Sequence, residues 1–248
     1  MSLPNQKDFS FILLHKVDST NNYAMGLVHA AMAQHGTAVF AREQTRGRGQ
    51  WNREWISESM NNIALSIILH VEDRISPSRM FLLSKAIALA LSDFFKSLGF
   101  DPAIKWPNDI YLNDRKAAGV LIENVLKGSS WKYAIVGVGI NVNQVNFGEL
   151  AKKAVSLKQL SGKTYDPEQL ARNLHLKLLE YFDLALLNPE KIHTDYDELL
   201  YRKNNKVKLK KDARIFEALV KGVNEFGELV VDHGMEEKFS VGEVEWMN

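Results

Sequence analysis

At 248 residues the chain is long enough for a core of its own, either as one large domain or as a main domain with a small appendage. Hydrophobic residues make up 46% and charged residues 25%, and 31 Lys and Arg against 30 Asp and Glu leave a formal net charge of +1, too even for a dedicated nucleic-acid binder. The absence of cysteine excludes disulfides, thiolate metal sites and a cysteine nucleophile, and the seven histidines show no HExxH or similar ligand spacing. Residues 1–11 lack a signal pattern and no run matches a membrane span, so a cytoplasmic enzyme is expected.

Phe9 to Val17 is suited to a strand, and Asp18-Ser19-Thr20 supplies capping side chains for a helix over Asn21 to Gln34, with Gly36 as its stop. Thr37 to Ala41 and Asn62 to Val71 read as strands. Ser76-Pro77 starts a long core helix reaching Leu98, with Leu82, Leu83, Ala86, Ile87, Ala90, Leu91, Phe94 and Phe95 on its apolar stripe. Ala103 to Trp106, Ile110 to Leu112, Ala117 to Val125 and Lys132 to Val142 read as strands joined by the short turns Asn113-Asp114 and Gly128-Ser129-Ser130. Such turns imply antiparallel neighbours, hence an α+β fold with helices on one side of the sheet. Asp166-Pro167 opens a further helix that closes at Asn188-Pro189, and a short helical segment follows around Asp195 to Tyr201. Lys206 to Leu209, Ile215 to Val223, Leu229 to Val231 and Val244 to Trp246 have the spacing of a small barrel, which places a domain boundary near residue 200.

Gln44 to Trp55 holds three arginines, two glycines and two tryptophans. Guanidinium groups bind phosphate or carboxylate bidentately, and Gly47 and Gly49 let the backbone approach a ligand, so an anionic guest is natural. Alone, such a loop is as often a solvated surface loop. Its company is Asp18-Ser19-Thr20-Asn21, Lys105-Trp106-Pro107-Asn108-Asp109-Ile110-Tyr111, Asp114-Arg115-Lys116-Ala117-Ala118-Gly119-Val120-Leu121-Ile122-Glu123 and Gly137-Val138-Gly139-Ile140-Asn141.

With these motifs in this order, the chain resembles biotin protein ligases, also called biotin–acetyl-CoA-carboxylase ligases, over nearly its whole length. The resemblance implies a class II aminoacyl-tRNA synthetase-like catalytic domain over residues 1–199, with a mixed, largely antiparallel sheet, and a small SH3-like β-barrel over 200–248. It implies biotin and ATP with Mg²⁺ as substrates, formation of biotinyl-5′-AMP, and transfer of biotin to a lysine of a biotin carboxyl carrier protein. It further implies no specific DNA binding, because the first catalytic strand begins at about Phe9, no membrane association, and a homodimer as a compatible state.

By position the resemblance makes Lys116 the group facing the biotin carboxylate and α-phosphate, with Arg48 in a loop over both. Biotin contacts fall on Ser19, Thr20, Asn21, Gln44, Arg48, Gly49, Gln50, Lys116, Gly119, Gly137 and Gly139. Nucleotide contacts fall on Arg48, Arg53, Trp55, Lys105, Asn108, Lys116 and Asn141. Asp109 either binds metal or orients Lys116. Gln50, Trp51 and Asn52 stand where relatives often carry arginine, another residue and glycine, with Arg46 or Arg53 as candidate compensations. The bland alternatives are a helix cap at 18–20, a surface turn lysine at 116 and core tryptophans. The rival functions are a lipoate ligase or an inactive carrier-binding module. The basic run from Arg202 to Arg214 reads as lysines guarding a strand edge, with contact to an acidic carrier left open.

Overall fold

The computed structural model describes residues 9–247, so the segment read for a signal pattern lies up to residue 8 outside the described residues. In chain order the first elements are β1 (Phe11–Leu14), α1 (Thr20–His29), β2 (Ala38–Ala41), β3 (Ile63–His70) and α2 (Met80–Ser97). Four strands follow, β4 (Pro102–Lys105), β5 (Asp109–Leu112), β6 (Arg115–Lys127) and β7 (Ser130–Ile140), then α3 (Leu157–Ser161), α4 (Pro167–Leu187) and α5 (Pro189–Glu198). The chain ends with β8 (Lys206–Lys211), β9 (Arg214–Val223), β10 (Leu229–Asp232), β11 (Glu236–Phe239) and β12 (Glu245–Met247).

The first seven strands form one mixed sheet in the order β1-β2-β3-β7-β6-β5-β4. Only the β1–β2 pair is parallel, because α1 carries the chain over between them; every other neighbouring pair is antiparallel. The turn between β5 and β6 has positive φ at both Asn113 (49°) and Asp114 (59°), the backbone a two-residue hairpin demands and these residues tolerate. The last five strands make a separate antiparallel sheet, ordered β11-β10-β9-β8-β12.

The expectation of helices on one side needs correction. Side chains alternate along β2, so Ala38 and Phe40 join the main core beneath α2 and α4, whereas Val39 packs with Ala24 of α1, Ile68 and Ile135 on the opposite face. The sheet is covered on both faces, more thinly by α1. Its apolar strands show this in retrospect, since β3 is buried at seven consecutive positions and lacks a solvated face.

Every stripe residue read on α2 is buried, and so are Lys85, Ala88, Leu89 and Ser92, because the second sheet and α5 close over the far side. Lys85 Nζ donates to the Val223 carbonyl at 2.7 Å, and Trp106 Nε1 donates to that of Gly227 at 2.9 Å. Leu209, Val220, Leu229 and Phe239 of the second sheet belong to the same apolar cluster as α2.

Local boundaries also moved. α1 stops at His29, with Ala31 at φ 56° and Met32 exposed, seven residues before Gly36, since this thin layer has nothing to cover a longer helix. α5 starts at Pro189 directly after α4, because Asn188 caps it by accepting from Lys191 N–H at 3.1 Å. α3 and β11, both short and polar, had no periodic signal to reveal them.

Candidate active site

Strand alternation decides which side chains share the face under α1. Ile135, Gly137 and Gly139 of β7 pair with Glu123, Leu121 and Gly119 of β6 and with Ile68, Ser66 and Ala64 of β3. Because Ile135 and Ile68 pack against α1, Gly137, Gly139 and Gly119 lie on that same face. A Cβ on Gly137 would stand 2.3 Å from Asn21 Oδ1, one on Gly139 2.3 Å from Trp55 Cε2, and one on Gly119 3.1 Å from Lys116 Cε. None of the three has a positive φ, so glycine serves here for close approach: the sheet face is hollowed at these positions, and the side chains of Asn21, Trp55 and Lys116 fill the hollow.

One end of the hollow is polar. Ser19 occupies the N-cap position of α1, yet its side chain makes no capping bond; Gln44 Oε1, from the end of the following strand, accepts instead from Thr20 N–H at 2.8 Å and Thr20 Oγ1 at 3.1 Å. Ser66 Oγ lies 2.7 Å from Thr20 Oγ1 and 2.6 Å from Asn21 Oδ1. The Thr20 hydroxyl proton goes to Gln44 and the single Ser66 proton can serve only one of its two neighbours, so this buried cluster has a surplus of acceptors. Ser66 was not singled out in the sequence; its signal was a lone hydroxyl within the apolar run Ile63–His70.

The Arg/Gly loop is a narrow, hydrogen-bonded strap. Thr45 and Arg46 N–H donate to Val17 and Asp18 carbonyls at 2.9 Å each, Trp55 N–H donates to Gly47 at 2.9 Å, and Gly49 N–H to Arg53 at 2.7 Å. Gly47 is obligatory for this path, since a Cβ there would meet the Trp55 carbonyl at 2.2 Å. Gln50 begins a short 3-10 turn, Trp51 stands at φ 56° with its ring beside Gly242 in the turn between β11 and β12, and Arg53 is exposed. Arg48 turns its guanidinium to Glu123, with Nη2 2.8 Å from Oε1 and Nη1 3.3 Å from Oε2, and Nη1 also reaches Asn22 Oδ1 at 2.7 Å. Trp55 lays its indole across Gly139 and Gly119, and its buried Nε1 has no hydrogen-bond partner.

The other end is cationic. Lys116 Nζ is 2.6 Å from Asp109 Oδ1 and 5.6 Å from the centre of a Trp55 ring. Lys105 donates to Tyr111 Oη at 3.0 Å and lies over the Tyr111 and Trp246 rings, and burial holds its pKa below the usual lysine value. Asn108 follows the cis Trp106–Pro107 peptide and donates its amide to the Val120 carbonyl. The Asn141 amide donates to the main-chain carbonyls of Lys116 (3.3 Å) and Val155 (3.2 Å), tying β6, β7 and the segment before α3 together behind the lysine.

Of the two uses open to Asp109, the geometry displays the ion pair. Among the described residues no group of three His, Asp or Glu side chains could hold a metal. A lone carboxylate holds Mg²⁺ only together with substrate phosphates and water.

The sequence model of the biotin/lipoate A/B protein ligase family matches residues 13–141, which span every site residue from Ser19 to Asn141. A bifunctional ligase/repressor BirA of Salmonella typhimurium is 33% identical over 183 residues, 71% of this chain and 56% of that protein. A biotin–[acetyl-CoA-carboxylase] ligase of Paracoccus denitrificans is 36% identical over 166 residues, 63% of this chain and 66% of that one. The chain thus spans about half the length of the first curated relatives it matches. The solved structure of a biotin protein ligase from Aquifex aeolicus in complex with biotin and ATP superposes with a TM-score of 0.81 at 25% identity, covering 96% of this chain and 99% of that one. With the matched segment holding more than half of its residues and the whole of its hollow, the chain belongs to the biotin/lipoate A/B protein ligase family.

Proposed function

We propose that the chain is an ATP-dependent biotin protein ligase. The observation that carries this reading is a hollow floored by Gly119, Gly137 and Gly139, with surplus acceptors at one end and Lys116 at the other. A bicyclic ring with a planar ureido group bearing two N–H donors suits that shape: the donors meet Ser66, Thr20 and Asn21, and the ureido carbonyl faces the N-terminus of α1. Its acyl tail then runs toward Lys116.

In the first half-reaction a carboxylate oxygen of biotin attacks the α-phosphorus of ATP, forming the acyl–phosphate anhydride as the bond to pyrophosphate breaks. Lys116 offsets the charge where the two anions converge, and Asp109 holds its ammonium in place. Lys105, Asn108 and Asn141 stand on the nucleotide side, the first as a cation and the last as a brace for the Lys116 main chain. In the second half-reaction a lysine amine of a carrier protein attacks the acyl carbon, and AMP leaves. Mg²⁺ fits as the counterion of ATP, held by its phosphates and water and not by a cage of this chain's carboxylates.

A ring seated on Gly139 beside Asn21 displaces the Trp55 indole. The freed indole is then available to face adenine, and Arg48, held by Glu123, puts a cation on the same strap. Residues 1–199 form the catalytic, class II synthetase-like unit in this reading, and 200–248 an SH3-like unit set against it.

The test is incubation with ATP, Mg²⁺, biotin and a biotin carboxyl carrier domain, read by intact mass, with lipoate in a parallel arm. Biotin-dependent addition to the carrier supports the reading. Labelling with lipoate alone, or no adenylate with either acid, overturns it.

A further inference from the structure

Glu123 closes the Lys116 motif and lies on the hollow's face two positions beyond Leu121 and four beyond Gly119, and the sequence assigned it no role. Its carboxylate is shared between two elements of the site. Oε1 accepts from Arg48 Nη2 at 2.8 Å, while Oε2 accepts from Asn21 Nδ2 at 2.8 Å and from Arg48 Nη1 at 3.3 Å. A carboxylate only accepts, so Glu123, with the Leu121 carbonyl 3.4 Å from the same Nδ2, turns the Asn21 NH₂ outward and its Oδ1 inward, where Oδ1 meets Ser66 beside Gly137.

We propose that Glu123 is a positioning and specificity-determining residue, fixing Asn21 as an acceptor toward N–H groups of the bound ring and anchoring the Arg48 strap over it. The proposal rests on the biotin reading of the hollow. The carboxylate touches neither the ring nor the phosphates in this scheme; it acts through Asn21 and Arg48. A glutamine at 123 has nearly the same shape, but its amide can donate to Asn21 Oδ1, which lets the asparagine turn its NH₂ toward the hollow and leaves the ligand's donors facing donors.

The test compares wild type, Glu123→Gln and Glu123→Asp in steady-state adenylation, and follows hydrogen exchange of residues 44–55 without ligand. With the Arg48–Glu123 pair partly exposed and one buried acceptor reversed, Glu123→Gln should raise the biotin KM about five- to tenfold while leaving kcat and the ATP KM within about twofold. Glu123→Asp keeps the charge and should fall between the two. Loop exchange should accelerate in Glu123→Gln, and the same change in an Arg48→Ala background should add nothing further, because the anchored partner is already gone.

Equal rises in both KM values, a fall in kcat alone, or additive loop exchange in the double variant would each overturn the proposal. The ligand-free exchange experiment answers for the strap even if the wild-type protein proves to activate a different acid, so failure of the biotin reading and failure of this inference give different results.

Discussion

Gly139→Ala tests the hollow most directly, because the structure fixes what the added methyl group meets. Its Cβ would lie 2.3 Å from Trp55 Cε2 and 2.7 Å from both Cζ2 and Nε1. Carbon atoms settle at about 3.5–4 Å, so the indole must withdraw by more than about 1 Å. That movement is cheap for the fold: Trp55 sits on a strap, φ at residue 139 is ordinary, and replacing a strand glycine recovers about 0.5–1 kcal/mol of backbone entropy. Net stability should therefore change by less than about 1 kcal/mol, or about 4 °C in Tm for a chain of this size. Ligand binding has no such escape, because the floor of the hollow is β7 itself. A methyl group that a fitted site cannot accommodate typically costs about 1–3 kcal/mol, so biotin affinity should fall about 10- to 200-fold. Calorimetric titration with biotin alongside thermal unfolding separates the two effects. Unchanged or improved biotin affinity in a folded variant would show that the ring does not rest on Gly139, and the ligand pose would have to be abandoned.

Lys116→Ala should lower the adenylation rate by about a hundredfold, the usual loss for one preorganised donor, while preformed biotinyl-adenylate restores carrier labelling; wild-type adenylation would remove Lys116 from the chemistry. Lys85 is buried and its pKa is lowered to about 8 by desolvation, so the folded state releases a proton that the unfolded chain keeps up to the ordinary lysine value of 10.5. Stability should consequently rise with pH between those two values, and the gain from Lys85→Met over wild type in denaturant melts should shrink across that interval; a pH-independent difference would refute the assignment. His35 Nδ1 must stay unprotonated to accept the His70 N–H at 3.1 Å, and burial lowers its pKa from 6.5 to about 4. Its stabilising contribution is therefore present above pH 6.5 and lost as pH falls toward 4, and His35→Asn, which keeps an acceptor without titrating, should flatten that acid limb relative to wild type.

Much of this protein was legible along the chain because its signals are local. The apolar stripe of α2, the Asp166-Pro167 start of α4 and the Asn113-Asp114 turn each depend on neighbours within a few residues, and the structure places all three where the pattern did. The motifs around Ser19, Gly47, Lys105, Lys116 and Gly137 were visible as motifs for the same reason. What the sequence left open depends on contacts between distant segments. Gln44 capping α1 across 24 residues, Ser66 turning toward Thr20 and Asn21 across 46 and 45, and Glu123 joining Asn21 to Arg48 leave no periodic trace, because each is one polar side chain whose meaning comes only from strand register. The same holds for Asp109, which the β5–β6 pairing brings to 2.6 Å from Lys116. Local sequence determined the elements and the glycines that had to lack side chains; only the packed sheet decided which face those glycines share, and hence what can lie on them.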